Sequence, residues 1–219
     1  FGYTKSIDLT SYTRASEDNL KEFTTILQMK SNDRLCVFTA EGNMYQVKAE
    51  NIPRCKMKEK GVLIHNLCKL DKENVILYTS FEQLFEAQLL FTTKAGYVKL
   101  VSGAEFETNR SQIQSTKLED NDVIVSINLI SAAQKLSGNQ RVIMLTEKGL
   151  ALSYPLDEVS ELKKTSRGVK GITLDKNDQV CYTTVIEQNA ESFTYNDKII
   201  NAKKIRLKKR ADKGQKLST

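Results

Sequence analysis

The chain has 219 residues, 40% of them hydrophobic, and a formal net charge of +6. That length and apolar content support a real core without staples, in one or two compact domains or in one repeat array. No stretch is long and apolar enough to span a bilayer as a helix, and Cys36, Cys55, Cys68 and Cys181 lack CxxC spacing beside the single His65, which speaks against a zinc site and fits a reducing cytoplasm.

The amino end, where no leader segment is visible, opens inside a phrase, Gly2-Tyr3-Thr4-Lys5, that recurs along the chain. The complete copies are Val37-Phe38-Thr39-Ala40-Glu41-Gly42-Asn43-Met44-Tyr45, Leu90-Phe91-Thr92-Thr93-Lys94-Ala95-Gly96-Tyr97-Val98 and Met144-Leu145-Thr146-Glu147-Lys148-Gly149-Leu150-Ala151-Leu152. They lie roughly 50 residues apart, a spacing found in propellers and solenoids. Each is a β-forming run, a polar turn ending in Gly, and a second β-forming run, and so reads as a hairpin. Gly supplies the positive φ that such a turn requires.

A second phrase follows each hairpin. It reads Lys69-Leu70-Asp71-Lys72-Glu73-Asn74-Val75, Lys117-Leu118-Glu119-Asp120-Asn121-Asp122-Val123 and Thr173-Leu174-Asp175-Lys176-Asn177-Asp178-Gln179-Val180, with a worn copy at Met29-Lys30-Ser31-Asn32-Asp33-Arg34-Leu35. An Asp/Asn-rich turn between strands is the expectation. Two hairpins per repeat give a four-stranded blade, and the whole gives an all-β array. The repeats divide as a remnant at 1–36, then 37–84, 85–137 and 138–190, with 191–219 a partial fifth or strands that close the array. Residues 132–140 read as a polar linker, and Ser80–Glu86 as a helical turn or a strand.

Between the two phrases lies a basic loop. It carries Arg54, Lys56, Lys58 and Lys60 in one repeat, Arg110 in the next, and Lys163, Lys164, Arg167 and Lys170 in the third. Equivalent placement on successive blades would make a periodic cationic track, suited to phosphates rather than base edges. The carboxyl end adds to it: residues 196–219 hold nine basic against two acidic residues, while the rest holds 24 against 25. A polyanion is the expected partner, nucleic acid before an anionic membrane. Lys203, Lys204, Arg206, Lys208, Lys209 and Arg210 are the candidates there. Lys204–Lys208 alternates as an amphipathic strand, and Gly214 onward is expected to fray.

No catalytic constellation is legible. His65 lies in an apolar run that reads as a strand and is structural. Tyr3, Tyr45, Tyr97 and Tyr154 accompany the hairpins and read as packing. The acidic pairs Asp120/Asp122 and Asp175/Asp178 read as turn chemistry before cation binding. No phosphate-binding loop is present, and no cofactor is expected.

Gly2-Tyr3-Thr4-Lys5 followed by Ser11-Tyr12-Thr13-Arg14-Ala15-Ser16 resembles the first blade of the carboxyl-terminal domain of the A subunit of bacterial topoisomerase IV. Phe38-Thr39 to Gly42-Asn43, Phe91-Thr92-Thr93-Lys94 to Lys99, and Arg167-Gly168-Val169-Lys170-Gly171-Ile172-Thr173-Leu174 resemble blade motifs shared with the A subunit of gyrase. The resemblance implies a β-pinwheel of four blades, with provision for a partial fifth, in which neighbouring blades exchange strands. It implies binding and bending of double-stranded DNA, as the accessory domain of an ATP-dependent type II topoisomerase. The cleaving Tyr then lies elsewhere, and an ATPase subunit is the partner of the whole enzyme. The isolated domain would be a non-catalytic monomer in the bacterial cytoplasm, at the nucleoid, with no membrane partner. The matching motifs add Lys5, Arg14, Lys94 and Lys99 to the candidate DNA contacts. The gyrase box Gln-Arg-Arg-Gly-Gly-Lys-Gly is missing, since residues 14–20 are acidic and lack glycine. A role in positioning DNA for decatenation or relaxation is therefore expected before gyrase-type wrapping. A propeller-like protein-interaction module with an incidental basic tail is the remaining alternative.

Overall fold

The structure is a computed structural model that describes residues 2–217. Its strands, in chain order, are β1 (Tyr3–Thr4), β2 (Arg34–Thr39), β3 (Asn43–Lys48), β4 (Val62–Leu63), β5 (Val75–Ser80), β6 (Gln88–Thr93), β7 (Tyr97–Ser102) and β8 (Gln112–Gln114). There follow β9 (Ile124–Ile130), β10 (Gln140–Thr146), β11 (Leu150–Pro155), β12 (Val169–Lys170), β13 (Val180–Glu187), β14 (Ser192–Tyr195), β15 (Lys198–Asn201) and β16 (Gln215–Lys216). Three sheets have four strands, ordered β5-β2-β3-β8, β9-β6-β7-β12 and β13-β10-β11-β16. Two-stranded sheets, β1-β4 and β14-β15, come from the first and last parts of the chain.

Each four-stranded sheet borrows its last strand. β8 follows the hairpin β6-β7 in the chain, yet it pairs with β3 through Asn43↔Gln114, Met44↔Ile113 and Tyr45↔Gln112. β12 pairs with β7 and β16 with β11 in the same way. A blade is thus not two hairpins of one repeat. It is one hairpin, the strand that follows the acidic turn, and a short strand from the next repeat. The copy at 29–35 departs from the others: its turn opens straight into β2, the first strand of a hairpin.

The hairpin turns share one chemistry. Gly42, Gly96 and Gly149 all have positive φ, between 77° and 85°. The N–H of each donates to the carbonyl of the Thr three residues earlier, at 2.9–3.1 Å. The same Thr hydroxyl accepts from the backbone N–H just past the Gly, in Thr39–Asn43, Thr93–Tyr97 and Thr146–Leu150, at 3.2–3.3 Å. The acidic turns then brace the hairpin turns. Asp122 Oδ1 accepts from Ala95 N at 3.0 Å, and Asp178 Oδ1 from Lys148 N at 3.1 Å.

The apolar runs are continuous because both faces of each sheet are covered. Leu35 and Val37 face a cluster with Val47, Ile64 and Leu70, while Cys36 and Phe38 face one with Leu89, Phe91 and Phe106. Phe38, Phe91 and Phe106 form a mutual aromatic contact, with centroids 5.2–6.2 Å apart. Leu90, Val98, Val142, Met144 and Tyr154 fill the next layer, and Ile143, Leu145, Phe193 and Ile205 the last. The sheets stack by side chains that alternate between adjacent layers, so the array order fixes where each loop sits.

Helices are short, four to six residues among the described α-helices. Phe81–Glu86 is one, started by Ser80, whose hydroxyl accepts from Gln83 N at 3.2 Å. The polar linker holds another, Ala132–Ser137, with a Ser131/Gln134 capping box and Gly138 as its left-handed end. His65 lies in a helix, Ile64–Leu67, not in a strand: the ladder with β1 ends as Ile64 N donates to Gly2 O, and Cys68 N then closes a helical turn on Ile64 O at 3.0 Å. Lys204–Lys208 is not a strand either. Ala202–Lys204 is a 3-10 turn, and the chain then runs as a loop with one bridge, Ser153↔Leu207. Nor do Gln215 and Lys216 fray, because they pair with Ala151 and Leu150. Ser218 and Thr219 lie outside the described residues.

Candidate nucleic-acid interface

Among the described residues, four basic loops follow the four 3-10 turns Ala49–Asn51, Gly103–Phe106, Leu156–Glu158 and Ala202–Lys204. Each runs beside the preceding sheet before its borrowed strand enters it. The contact point is the fourth residue after a repeated glycine. Ser6, Leu100 and Ser153 form parallel bridges there with Arg54, Glu161 and Leu207. Their carbonyls accept from Cys55 N, Leu162 N and Lys208 N at 2.8–2.9 Å, and at the same place in the remaining sheet Gln46 N donates to Ser111 O at 2.9 Å. The loops carrying Arg54–Lys60, Arg110, Lys163–Lys170 and Arg206–Arg210 are therefore seated at equivalent points of successive sheets. The last of these is the carboxyl-terminal basic segment, which is a fourth member of the loop series.

Two kinds of buried or half-buried side chain hold the loops, and sequence reasoning missed their role. At the start of each hairpin, Arg34, Gln88 and Arg141 reach the loop of the next repeat. Arg34 Nη1 donates to Thr108 O at 2.7 Å, while its guanidinium lies 3.9 Å from the Phe81 ring centroid. Gln88 Nε2 donates to the Glu161 carboxylate. Arg141, 5% exposed, donates to Ala190 O, Ala202 O and Ile205 O at 3.2–3.4 Å. Nothing in the sequence separates these from solvated residues except their fixed place before an apolar run.

Lys99 belongs to the second kind, and its expected role as a DNA contact is overturned. It is 1% exposed, and its ammonium donates to Lys164 O and Ser166 O at 2.7 and 2.6 Å, with Lys163 O at 3.4 Å. Burial pulls its pKa down to about 8. Lys5 is spent in the same way, on Met57 O at 2.6 Å, Glu59 O at 2.5 Å and Lys56 O at 3.5 Å. Lys94 sits in a hairpin turn, with its N–H on Val123 O and its carbonyl receiving Val180 N. Arg14 caps the helix Leu9–Thr13 and is exposed; Asp8, at the other end of that helix, pairs with Arg54 at 3.6 Å.

The loop cations are matched by carboxylates. Lys163 Nζ lies 2.8 Å from Glu105 Oε1, and Glu105 Oε2 accepts from Lys164 N at 2.9 Å. The Lys163 hydrogen bond and the Lys164 N–H hold the Glu105 carboxyl below the usual carboxylate range, and Glu105 in turn raises Lys163. In the next repeat Glu158 accepts from Arg210 N at 2.6 Å, the same use of a 3-10 turn carboxylate. Arg167 lies against the Tyr97 ring, 4.3 Å from its centroid, donates to Tyr97 Oη and pairs with Glu119 at 3.2 Å. Lys213 pairs with Asp175 at 2.6 Å, and Lys203 with Glu191. Lys56, Lys58, Lys60, Lys170, Lys204, Arg206, Lys208 and Lys209 have no ion pair among the described residues. Of the four tyrosines read as packing, Tyr45 and Tyr154 are buried, Tyr97 carries Arg167, and Tyr3 is exposed. Among the described residues no His, Cys, Asp and Glu cluster has metal-site geometry, and no helix is long and apolar enough to cross a membrane.

The family model for "DNA gyrase C-terminal domain, beta-propeller" matches residues 33–74, 87–131 and 140–181, more than half of the chain. The chain belongs to this family, the C-terminal domains of type IIA topoisomerase A subunits. Each matched block contains one hairpin; the second also contains β9, the strand that follows its acidic turn, whereas the first ends just before β5 and the third just inside β13. The chain is 31% identical over 207 residues to the A subunit of DNA gyrase from Helicobacter pylori (strain ATCC 700392 / 26695), covering 88% of this chain and 24% of that protein. It is 25% identical over 226 residues to the A subunit of DNA topoisomerase 4 from Staphylococcus aureus (strain MRSA252), covering 97% of this chain and 28% of that protein. The chain thus spans about a quarter of the length of these curated relatives. The crystal structure of the C-terminal domain of DNA topoisomerase IV superposes with a TM-score of 0.80 at 24% identity, covering 98% of this chain and 69% of that one. The E. coli ParC C-terminal domain gives 0.70 at 16% identity, covering 89% and 80%. These likenesses agree with the pinwheel architecture of exchanged four-stranded sheets.

Proposed function

We propose that this domain binds duplex DNA without reading its sequence, along the four basic loops, and holds or bends a segment for a type II topoisomerase. The observation that carries the reading is the seating of all four loops at equivalent points of successive sheets. Such a series offers cations at a repeated spacing, which neutralises phosphates and carries no base information. Arg54, Lys56, Lys58, Lys60, Arg110, Lys163, Lys164, Arg167 and Lys170, with Lys203, Lys204, Arg206, Lys208, Lys209 and Arg210, supply the charge. Strand cleavage and ATP hydrolysis belong to other parts of the enzyme and to an ATPase partner subunit, at the bacterial nucleoid.

The domain acts by raising the local concentration of the segment to be transported. A topoisomerase IV-type role is favoured over gyrase-type wrapping by residues 14–20. These form a Ser16-capped helical turn, Glu17–Leu20, with Glu17 and Asp18 in place of a glycine-rich basic box. Carboxylates already seated on Lys163, Arg167 and Lys213 also favour modest affinity.

A salt titration of binding to two duplexes of unrelated sequence tests the reading. Log affinity should fall linearly with log salt, by about 0.9 per phosphate contact, and equally for both duplexes. No binding at low salt, or binding insensitive to salt, would favour the protein-interaction module instead.

A further inference from the structure

Lys5 and Lys99 occupy the same place in two repeats. Each is the third residue after the repeated glycine, in Gly2-Tyr3-Thr4-Lys5 and Gly96-Tyr97-Val98-Lys99. Each ammonium meets three carbonyls of the basic loop that follows in the next repeat, and the three have the same spacing. For Lys5 they are Lys56, Met57 and Glu59; for Lys99 they are Lys163, Lys164 and Ser166. Each ammonium also lies near an aromatic ring, Phe23 at 4.9 Å and Phe91 at 5.6 Å. Tyr45 and Leu152 stand at this position in the other two repeats. There the loop is held by different groups: Gln46 Nε2 on Thr108 O and Arg110 O, and Arg141 on Ile205 O.

We infer that the lysine of Gly-Tyr-x-Lys is a positioning residue, which gathers the carbonyls of the next repeat's loop inward so that its cationic side chains and N–H groups are presented to phosphate. An ammonium has three N–H donors and no acceptor, which suits three converging carbonyls. Turning the negative ends of the peptide dipoles toward a buried cation leaves the outer surface of the loop without them, which is what an approaching anion requires. The loop then needs no packing of its own: Lys163 is 80% exposed at its side chain while its carbonyl lies on Lys99. This inference rests on the DNA-binding reading for what the loop meets, and on the geometry alone for what the lysine does.

Lys99→Met and Lys5→Met test it, each read by amide hydrogen exchange and by duplex binding across salt. Lys99→Met should speed exchange in residues 163–168 by about tenfold or more, through local opening, and leave 54–60 unchanged; Lys5→Met should do the reverse. A general loss of stability would move both loops in both variants. Lys99→Met should also lower the salt slope by more than about one, although Lys99 itself touches no phosphate. Unchanged exchange at 163–168 would overturn the cage. Faster exchange with unchanged affinity and slope would overturn its role in presenting the loop. Failure of the unmodified chain to bind DNA would instead overturn the functional reading. Should Lys99→Met not fold, Lys5→Met, at a less buried site, decides the question on loop 54–60 by the same outcomes.

Discussion

Glu105 Oε1 lies 2.8 Å from Lys163 Nζ, and the two differ in freedom: the Lys163 side chain is 80% exposed and that of Glu105 only 20%. The carboxylate is fixed in the 3-10 turn Gly103–Phe106, and the lysine can leave it. On the proposed DNA-binding role, phosphate and Glu105 would compete for one cation. Glu105→Gln keeps an oxygen for the Lys164 N–H and removes the charge. It should strengthen duplex binding by up to about fivefold, the range expected for releasing a surface ion pair. Direct binding measurements at one salt concentration check this, and unchanged or weaker binding would contradict it.

The same carboxyl sets an acid dependence. Its folded value is depressed by Lys163 and by the Lys164 N–H. The unfolded chain takes up this proton near the ordinary value of about 4.3, before the folded chain does. The stabilisation is therefore complete above that value and is lost as the pH falls through the folded value. Unfolding of the wild type and Glu105→Gln by urea, compared from neutral pH downward, should show the difference between them shrinking in acid. A constant difference would contradict the assignment.

Gly103 places that turn against the helix Phe81–Glu86. A Cβ at Gly103 would stand 1.6 Å from the Leu84 carbonyl oxygen. Gly103→Ala should cost about 3 kcal/mol or more, at or beyond the usual range for overpacking, and lower the urea midpoint accordingly. At Gly138, whose φ is +60° and whose Cβ would meet nothing within 4 Å, the same change should cost only about 1 kcal/mol from backbone strain. Equal effects at the two sites would show that the close approach carries no weight.

Ligation of DNA minicircles in the presence of the chain separates holding a segment from wrapping it. The topoisomer distribution should shift far less than it does with the C-terminal domain of a gyrase A subunit, because residues 14–20 lack the basic glycine-rich box. An equal shift would show that the box is dispensable here and would replace the topoisomerase IV-type role with the gyrase one.

The repeat order was legible because the turn glycines and the apolar runs recur in register, and periodicity alone gives the hairpins. Strand exchange was legible only through the family resemblance. β8 and β12 are three and two residues long, too short to carry a pattern of their own. Lys204–Lys208 alternated as a strand would, yet its partner is the edge of another repeat, touched only at Ser153↔Leu207. At the site, charge identified the loops but could not tell Lys163 from Lys99. A lysine in an amphipathic strand and a lysine caged by carbonyls look alike in one sequence, since the cage comes from a loop 64 to 67 residues away.

Charge reversal at Lys163, Lys164 and Arg167 together tests the loop track most directly. The measurement is duplex affinity across salt for this triple variant and the wild type, with unfolding midpoints to show that both are folded. Binding at low salt should weaken by more than about tenfold, and the salt slope should fall by about two to three, one for each lost phosphate contact. Unchanged affinity and slope in a folded variant would contradict the account and place the DNA elsewhere on the molecule.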